Sequence, residues 1–212
     1  MERKMKAIQK FPILKSMLLP CVKNDSGTAF CQGKYHIISS DLRDSKNVSN
    51  LLLSEGCDPL TPTLFLVECV FAYMTKEDSQ SLIEELKSLF SDCIFVLYEM
   101  VNPNDSFGKM MNKNIEMRGY RLPGFIAFPS LESQSRRFEE AGFALIKAFD
   151  MLQVFDGFIL TEELERMSSI EPLDELEEWE LIMTHYCFVL AASGSTCEKF
   201  LDSFLKSVNA SN

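Results

Sequence analysis

An acid set inside an apolar strand is the first group in this sequence that could do chemistry. Glu68 interrupts the run TPTLFLVECVFAYM (61–74), and a carboxylate there is costly to bury unless something donates to it. It is either a structural acid, paired with a backbone amide or a Lys/Arg neighbour, or a ligand contact at the carboxyl end of a strand. A second acidic spot, Asp41-Leu42-Arg43-Asp44, directly follows the short apolar stretch KYHIIS (34–39); an Asp in that place also suits a turn or a helix cap. Of the two histidines, His36 and His185, the second opens the apolar run HYCFVLAAS (185–193) together with Tyr186. A satisfied core imidazole is the simpler reading of His185. The nine glycines include no pair separated by one residue, and no G-x-S-x-G is present, so neither a phosphate cradle nor a serine-hydrolase elbow is legible.

These residues need elements to position them. Residues 2–10 read as a short helix stopped by Pro12, 34–39 as a short strand, and 45–55 as a helix with Gly56 as its C-terminal stop. The near-continuous apolar run at 64–71 suits a central strand buried on both faces. Thr75 can cap a helix over 76–90, whose inner face is Leu82, Ile83, Leu86, Leu89 and Phe90, and CIFVLYEM (93–100) reads as the next strand. Strand, helix and strand in this order form a βαβ unit. Helical stretches at 103–119 and 131–142, a strand at 143–151, an acidic amphipathic pair of helices at 161–180 split near Ser169 and Pro172, and a last strand at 185–193 complete the order. The class is α/β with a mostly parallel sheet, and ligands of such sheets sit beyond the carboxyl ends of the strands. That rule selects Asp41 and Leu42 after the first strand, and Glu68 with Tyr73 near the end of the second. The segment beyond Cys197 is expected to fray, which leaves 1–194 as the folded portion and 195–212 as a tail.

Composition narrows the function. With 21 Lys+Arg against 31 Asp+Glu the formal charge is −10, and without a basic cluster a nucleic-acid partner is not expected. No apolar run is long enough for a membrane span. The seven cysteines contain no C-x-x-C pair, so no metal site is expected and the thiols read as reduced ones in a cytoplasmic protein. The acidic run at 161–180, with nine acids and one base, reads as a solvated helix face. A monomer is expected.

Five stretches in order, Ser40-Asp41-Leu42-Arg43-Asp44, TPTLFLVECVFAYM, NPNDSFGKMMNKN, SLESQSRRFEEAGF and LDELEEWELI leading into HYC, span about 150 residues and together resemble the leucine carboxyl methyltransferase family. The resemblance implies a class I methyltransferase-like (Rossmann-like) fold, S-adenosyl-L-methionine as cofactor, and esterification of the C-terminal leucine carboxylate of the protein phosphatase 2A catalytic subunit. It also implies roles: Asp41 and Leu42 at the adenine end of the cofactor, Glu68 near its methionine moiety, and Tyr73 as an aromatic close to the substrate carboxylate. An α-carboxylate, with a pKa of ~3.3–3.7, is ionised at neutral pH and needs no general base; positioning the two reactants can supply ~7–11 kcal/mol of the barrier. Family members carry additional N-terminal residues with a helical lid and a glycine-rich turn. The glycine census matches an N-terminally truncated domain, and this chain alone is expected to bind the cofactor poorly. A catalytically silent phosphatase-interaction module is the alternative, and a related tRNA-modifying branch is disfavoured by the negative charge.

Overall fold

The computed structural model describes residues 2–18, 21–23, 29–31 and 35–211. They form two compact units, Met1–Asp58 and Pro59–Asn212. The first contains α1 (Glu2–Lys10), α2 (Pro12–Leu18), an antiparallel sheet of β1 (Cys21–Lys23), β2 (Ala29–Cys31) and β3 (Tyr35–Ile37), and α3 (Ser45–Ser54). Proline at the first position of α2 explains the break after α1, because it cannot continue the preceding helix but is preset to start one. Asp44 caps α3 by accepting from the Asn47 amide (3.1 Å). Just past the helix, Gly56 takes φ +89°, the left-handed stop expected there.

The second unit is built on a sheet in the order β4-β5-β7-β6, formed by β4 (Thr63–Glu68), β5 (Cys93–Met100), β6 (Leu145–Asp150) and β7 (Tyr186–Ser193). It is a mixed sheet. β4 and β5 pair in parallel, whereas β7 runs antiparallel to both β5 and β6. Three strands therefore point the same way, as a mostly parallel sheet requires, but the reversed β7 lies between two of them and leaves only one parallel pairing. Among the described residues the unit also contains the helices α4 (Lys76–Leu89), α5 (Ser106–Met117), α6 (Pro123–Ala127), α7 (Leu131–Glu140), α8 (Met151–Phe158), α9 (Thr161–Ile170), α10 (Leu176–Met183) and α11 (Ser195–Ser211). Thr75 caps α4 as expected, accepting from the Asp78 amide at 3.1 Å.

The alternation of a strand sorts its side chains between the two faces. Cys93, Phe95, Leu97 and Glu99 of β5 line one face and are all buried. Phe65, Phe138 and Phe143 pack on Phe95 there, and Phe90 packs on Phe65, with ring centroids 4.7–5.6 Å apart. The opposite face is covered in two patches. Cys197 and Leu201 of α11 pack on Ile94 and Ala192 at one end. Met111 and Ile115 of α5 join Met100 and Tyr186 at the other.

Three expectations change here. β4 is not a central strand buried on both faces: among the described residues it pairs only with β5, and Leu64 and Leu66 are 60% and 64% exposed. An apolar run specifies a strand but not which neighbours it has. The segment beyond Cys197 is no frayed tail but the helix α11, held because Asp92 accepts from the Thr196 and Cys197 amides at 3.2 and 2.8 Å and Leu201 is buried. The stretch 143–151 becomes β6 followed at once by α8, which Asp150 starts with a capping box to Gln153.

Candidate functional site

The carboxyl ends of β4 and β5 lie side by side with the start of β7. Glu68 pairs in register with Tyr98, and Met100 with Tyr186. β4 runs directly into a residue of left-handed backbone, Cys69 at φ 49°, and another, Asn102 at φ 62°, stands two residues beyond β5. Such conformations cost energy for a non-glycine residue and recur at binding sites. The Cys69 amide still donates to the Tyr98 carbonyl (2.8 Å), so the ladder holds Cys69 in place while the chain turns away.

The turn that follows is the short 3-10 segment Phe71–Tyr73, and it is pinned from two sides. Glu99 Oε1 accepts from the Ala72 amide at 3.1 Å. From α6, Gly124 comes so close that a Cβ there would stand 2.1 Å from the Phe71 carbonyl oxygen; only glycine permits that approach. Beneath the turn, Arg137 is 1% exposed. Its guanidinium lies 4.8 Å from the Phe71 ring centroid and 3.9 Å from that of Phe128. It donates to Ser79 Oγ (2.6 Å) and Gln134 Oε1 (3.2 Å). Burial lowers the Arg137 pKa to about 10, opposed by the negative Glu99. Burial likewise pushes the Glu99 carboxyl up, against the pull of the Ala72 and Phe71 amides and of Arg137. Glu99 Oε2 and Arg137 Nε are buried without a hydrogen-bond partner among the described residues.

The rim above this network carries one open acid and three phenols. Glu68, the last residue of β4, is exposed on the same strand face as Leu64 and Leu66 and makes no side-chain hydrogen bond among the described residues. The rings of Tyr98 and Tyr186 stack with centroids 5.4 Å apart and planes at 11°. Burial raises both phenols, Tyr98 to about 12, with Glu68 and Cys69 adding to Tyr98 and with Cys69 and Tyr73 adding to Tyr186. Glu68, Cys69, Tyr73, Tyr98 and Tyr186 are thus one electrostatically linked group. Tyr73 is half exposed at its edge. Burial also lifts the Cys69 thiol to about 11, helped by Glu99 and Glu68. At neutral pH it is not a thiolate nucleophile.

Each histidine lies against a carboxylate. His36 Nδ1 lies 3.4 Å from Glu55 Oε2 in the first unit. His185 is buried, with Nδ1 2.7 Å from the Leu181 carbonyl oxygen and Nε2 2.9 Å from Asp105 Oδ2. Asp105 also caps α5 through the Gly108 amide at 2.7 Å. Among the described residues no three His, Cys, Asp or Glu could hold a metal ion, no helix is long and apolar enough to cross a membrane, and the five cysteines with described side chains are free thiols.

Sequence and structure differ on which acid is buried. Glu68, expected inside an apolar strand, ends an edge strand and faces solvent. The buried acid is Glu99, which the sequence reading passed over although the same rule, an acid in the apolar run CIFVLYEM, would have found it. Cys69, Tyr98 and Asn102 were also missed, since neither left-handed backbone nor register is visible in a residue list. Asp41 and Leu42 belong to the first unit, Glu68 and Tyr73 to the second. Asp41 is exposed and already bound by its neighbour: its carboxylate accepts from Arg43 Nε at 2.9 and 3.1 Å and from Nη2, which brings its pKa down to about 2. Leu42 is about one-third exposed.

The rim residues can bind and orient, and none of them is a thiolate or an imidazole. An open carboxylate beside neutral aromatic rings suits a cation, and the raised Tyr98 and Tyr186 phenols remain hydrogen-bond donors across the physiological range. That is a fit to the positively charged end of S-adenosyl-L-methionine, tested on the donor set alone.

Comparison with known proteins places the chain. The sequence model of the family described as leucine carboxyl methyltransferase matches residues 1–87. A probable leucine carboxyl methyltransferase 1 of Caenorhabditis briggsae is 40% identical over 159 residues, covering 75% of this chain and 48% of the relative. Leucine carboxyl methyltransferase 1 of Schizosaccharomyces pombe is 34% identical over 195 residues, 90% of this chain and 61% of the relative. The human tRNA wybutosine-synthesizing protein 4 is 37% identical over 193 residues, 90% of this chain but 28% of that protein. The chain spans about half to three-fifths of the length of these leucine carboxyl methyltransferases. Among solved structures, a SAM dependent methyltransferase from Archaeoglobus fulgidus overlaps 76% of this chain and 70% of its own at a TM-score of 0.42 and 15% identity; the α/β assignment rests instead on the sheet itself. Over most of its length the chain is thus similar in sequence to leucine carboxyl methyltransferases.

Proposed function

We propose that the protein carrying this chain transfers a methyl group from S-adenosyl-L-methionine to the C-terminal leucine α-carboxylate of the protein phosphatase 2A catalytic subunit. The described residues, α11 included, are read as the C-terminal portion of its class I methyltransferase domain, acting as a monomer in the cytoplasm. The carrying observation is the rim itself: an open Glu68 carboxylate beside stacked, neutral Tyr98 and Tyr186. A carboxylate acceptor is the substrate for which that set suffices, because it is already ionised at neutral pH and needs no proton removed.

When bound, the cofactor supplies an electrophilic methyl on a positively charged sulfur. Glu68 would hold the methionine end through its charge. A hydrogen bond to an ionised group contributes ~1.5–3 kcal/mol net. Tyr73, on the turn pinned by Glu99 and Gly124, would orient the leucine carboxylate, and Asp41 with Leu42 would meet the adenine end. The apolar surround of the rim would exclude water and so strengthen these contacts.

Radiolabelled cofactor and the purified phosphatase subunit test this. A base-labile methyl label is expected on the wild-type subunit and none once its terminal leucine is deleted. Label that survives the deletion overturns the substrate assignment. The competing reading is a silent interaction module, and a pull-down with the leucine-deleted subunit separates the two: retained binding without methyl transfer favours the module. A tRNA acceptor, as the wybutosine-named relative suggests, is disfavoured by the net charge of −10. Calorimetry of the chain with cofactor alone should show no micromolar binding.

A further inference from the structure

The net charge is not spread over the chain. Residues 161–180 hold nine acids and one base, a charge of −8. The rest has 22 acids and 20 bases, so this one segment accounts for most of the −10. Its single base is already spent: Arg166 donates to Glu163 at 2.7 and 2.6 Å. No ion pair among the described residues involves the other eight acids.

The same segment also exposes apolar surface. α9 and α10 stand against α8 around a groove of about 420 Å³ lined by Phe155, Leu164, Met167, Leu173 and Trp179, with Glu171 at its edge. The Phe155 and Trp179 rings meet edge to face, 4.6 Å apart, and fix one wall. Ile170 (71%) and Leu176 (53%) extend the apolar surface at the ends of α9 and α10. A solvated acidic helix face would show acids outward and apolar residues inward. Here both face solvent.

We propose that this groove is a docking site for a cationic amphipathic segment of a partner protein. Apolar residues at helical spacing fill the groove, and the Lys or Arg residues flanking them meet the unpaired acids. The charge selects this occupant. A second copy of the chain would bring −8 against −8, an anionic lipid surface or a nucleic acid would be repelled, and an uncharged peptide would leave the acids uncompensated. The site uses none of the rim residues around Glu68, so it stands or falls independently of methyl transfer.

Trp179 is the only tryptophan, so its fluorescence reports the groove directly. The whole chain would be titrated with a Lys/Leu amphipathic peptide of about 18 residues, roughly five helical turns. Controls are a scrambled peptide of the same composition, a Glu/Leu counterpart, and vesicles of phosphatidylserine. A saturable blue shift is expected with the Lys/Leu peptide, weakening as salt is raised. The scrambled peptide should bind about tenfold or more weakly, since its apolar residues no longer align, and the acidic peptide and the vesicles should give no shift. Ser168→Tyr, at an exposed helix position on the groove, should weaken the Lys/Leu peptide by a similar factor while circular dichroism stays unchanged. Equal binding of the scrambled peptide, a shift produced by vesicles, no shift with the Lys/Leu peptide, or no effect of Ser168→Tyr in a folded variant would each overturn the proposal.

Discussion

Glu68 and Glu99 occupy nearly the same place in two neighbouring strands, TLFLVE and CIFVLYEM, and have opposite fates. Each acid stands near the carboxyl end of a parallel, apolar strand. One is exposed and unpaired. The other is 1% exposed, accepts from the Ala72 amide, and lies close enough to Arg137 for each to perturb the other. β5 has a neighbour on both sides and a helical layer over its Glu99 face, whereas β4 is bonded on one side only among the described residues. The same residue type is therefore a structural clamp in the interior and an open ligand group at the edge. An acid held in the interior by a backbone amide and a nearby cation is out of reach of a ligand, and one facing water contributes little to folding.

The contrast can be broken most directly with matched substitutions. Glu99→Leu should cost about 3–5 kcal/mol in denaturant unfolding, because it strands the buried Arg137 charge. Glu68→Leu should change stability by less than ~0.5 kcal/mol. Equal losses would remove the distinction. The apolar neighbours sharpen it: Leu97→Ala, at 0% exposure, should cost ~2–5 kcal/mol, and Leu66→Ala, at 64% exposure, should hardly move the unfolding midpoint.

For ligand binding the order reverses. Glu68→Gln in the cofactor-binding protein should weaken S-adenosyl-L-methionine by ~1.5–3 kcal/mol, or ~10–100-fold in calorimetry, with the melting temperature unchanged. An unaffected titration would detach Glu68 from the cofactor.

The smallest effect is a pH dependence. The folded chain holds the Glu99 proton more tightly than the unfolded chain does, so its contribution favours folding below the ordinary value of 4.5. That contribution fades as pH rises through the raised folded value. Glu99→Gln cannot lose a proton, so its stability relative to wild type should improve steadily as pH is raised from 4.5. A gap that stays constant with pH would show that Glu99 titrates normally.

Local elements were legible wherever local chemistry decides them. The acidic pair of helices at 161–180 breaks between Ile170 and Leu176, around Pro172, as its spacing indicates. Thr75, Gly56 and Gly142 end or begin helices where their backbone preferences place them. The α11 helix was misjudged because its anchor, Asp92, is remote in sequence: the two amides it accepts from lie 104 and 105 residues away. Of the candidate site, Glu68 and Tyr73 fall at one rim, while Tyr98 and Tyr186 join them only through the β4-β5-β7 register.

The sequence by itself determined the α/β class, the order of most elements and the likeness to leucine carboxyl methyltransferases, because periodicity, capping chemistry and shared motifs are properties of residues close together in the chain. Tertiary structure alone decided which strand stands at the edge, that β7 runs backwards beside β5, and which of two similar acids is buried. Those outcomes depend on long-range pairing, and a strand's own residues do not record what lies on either side of it.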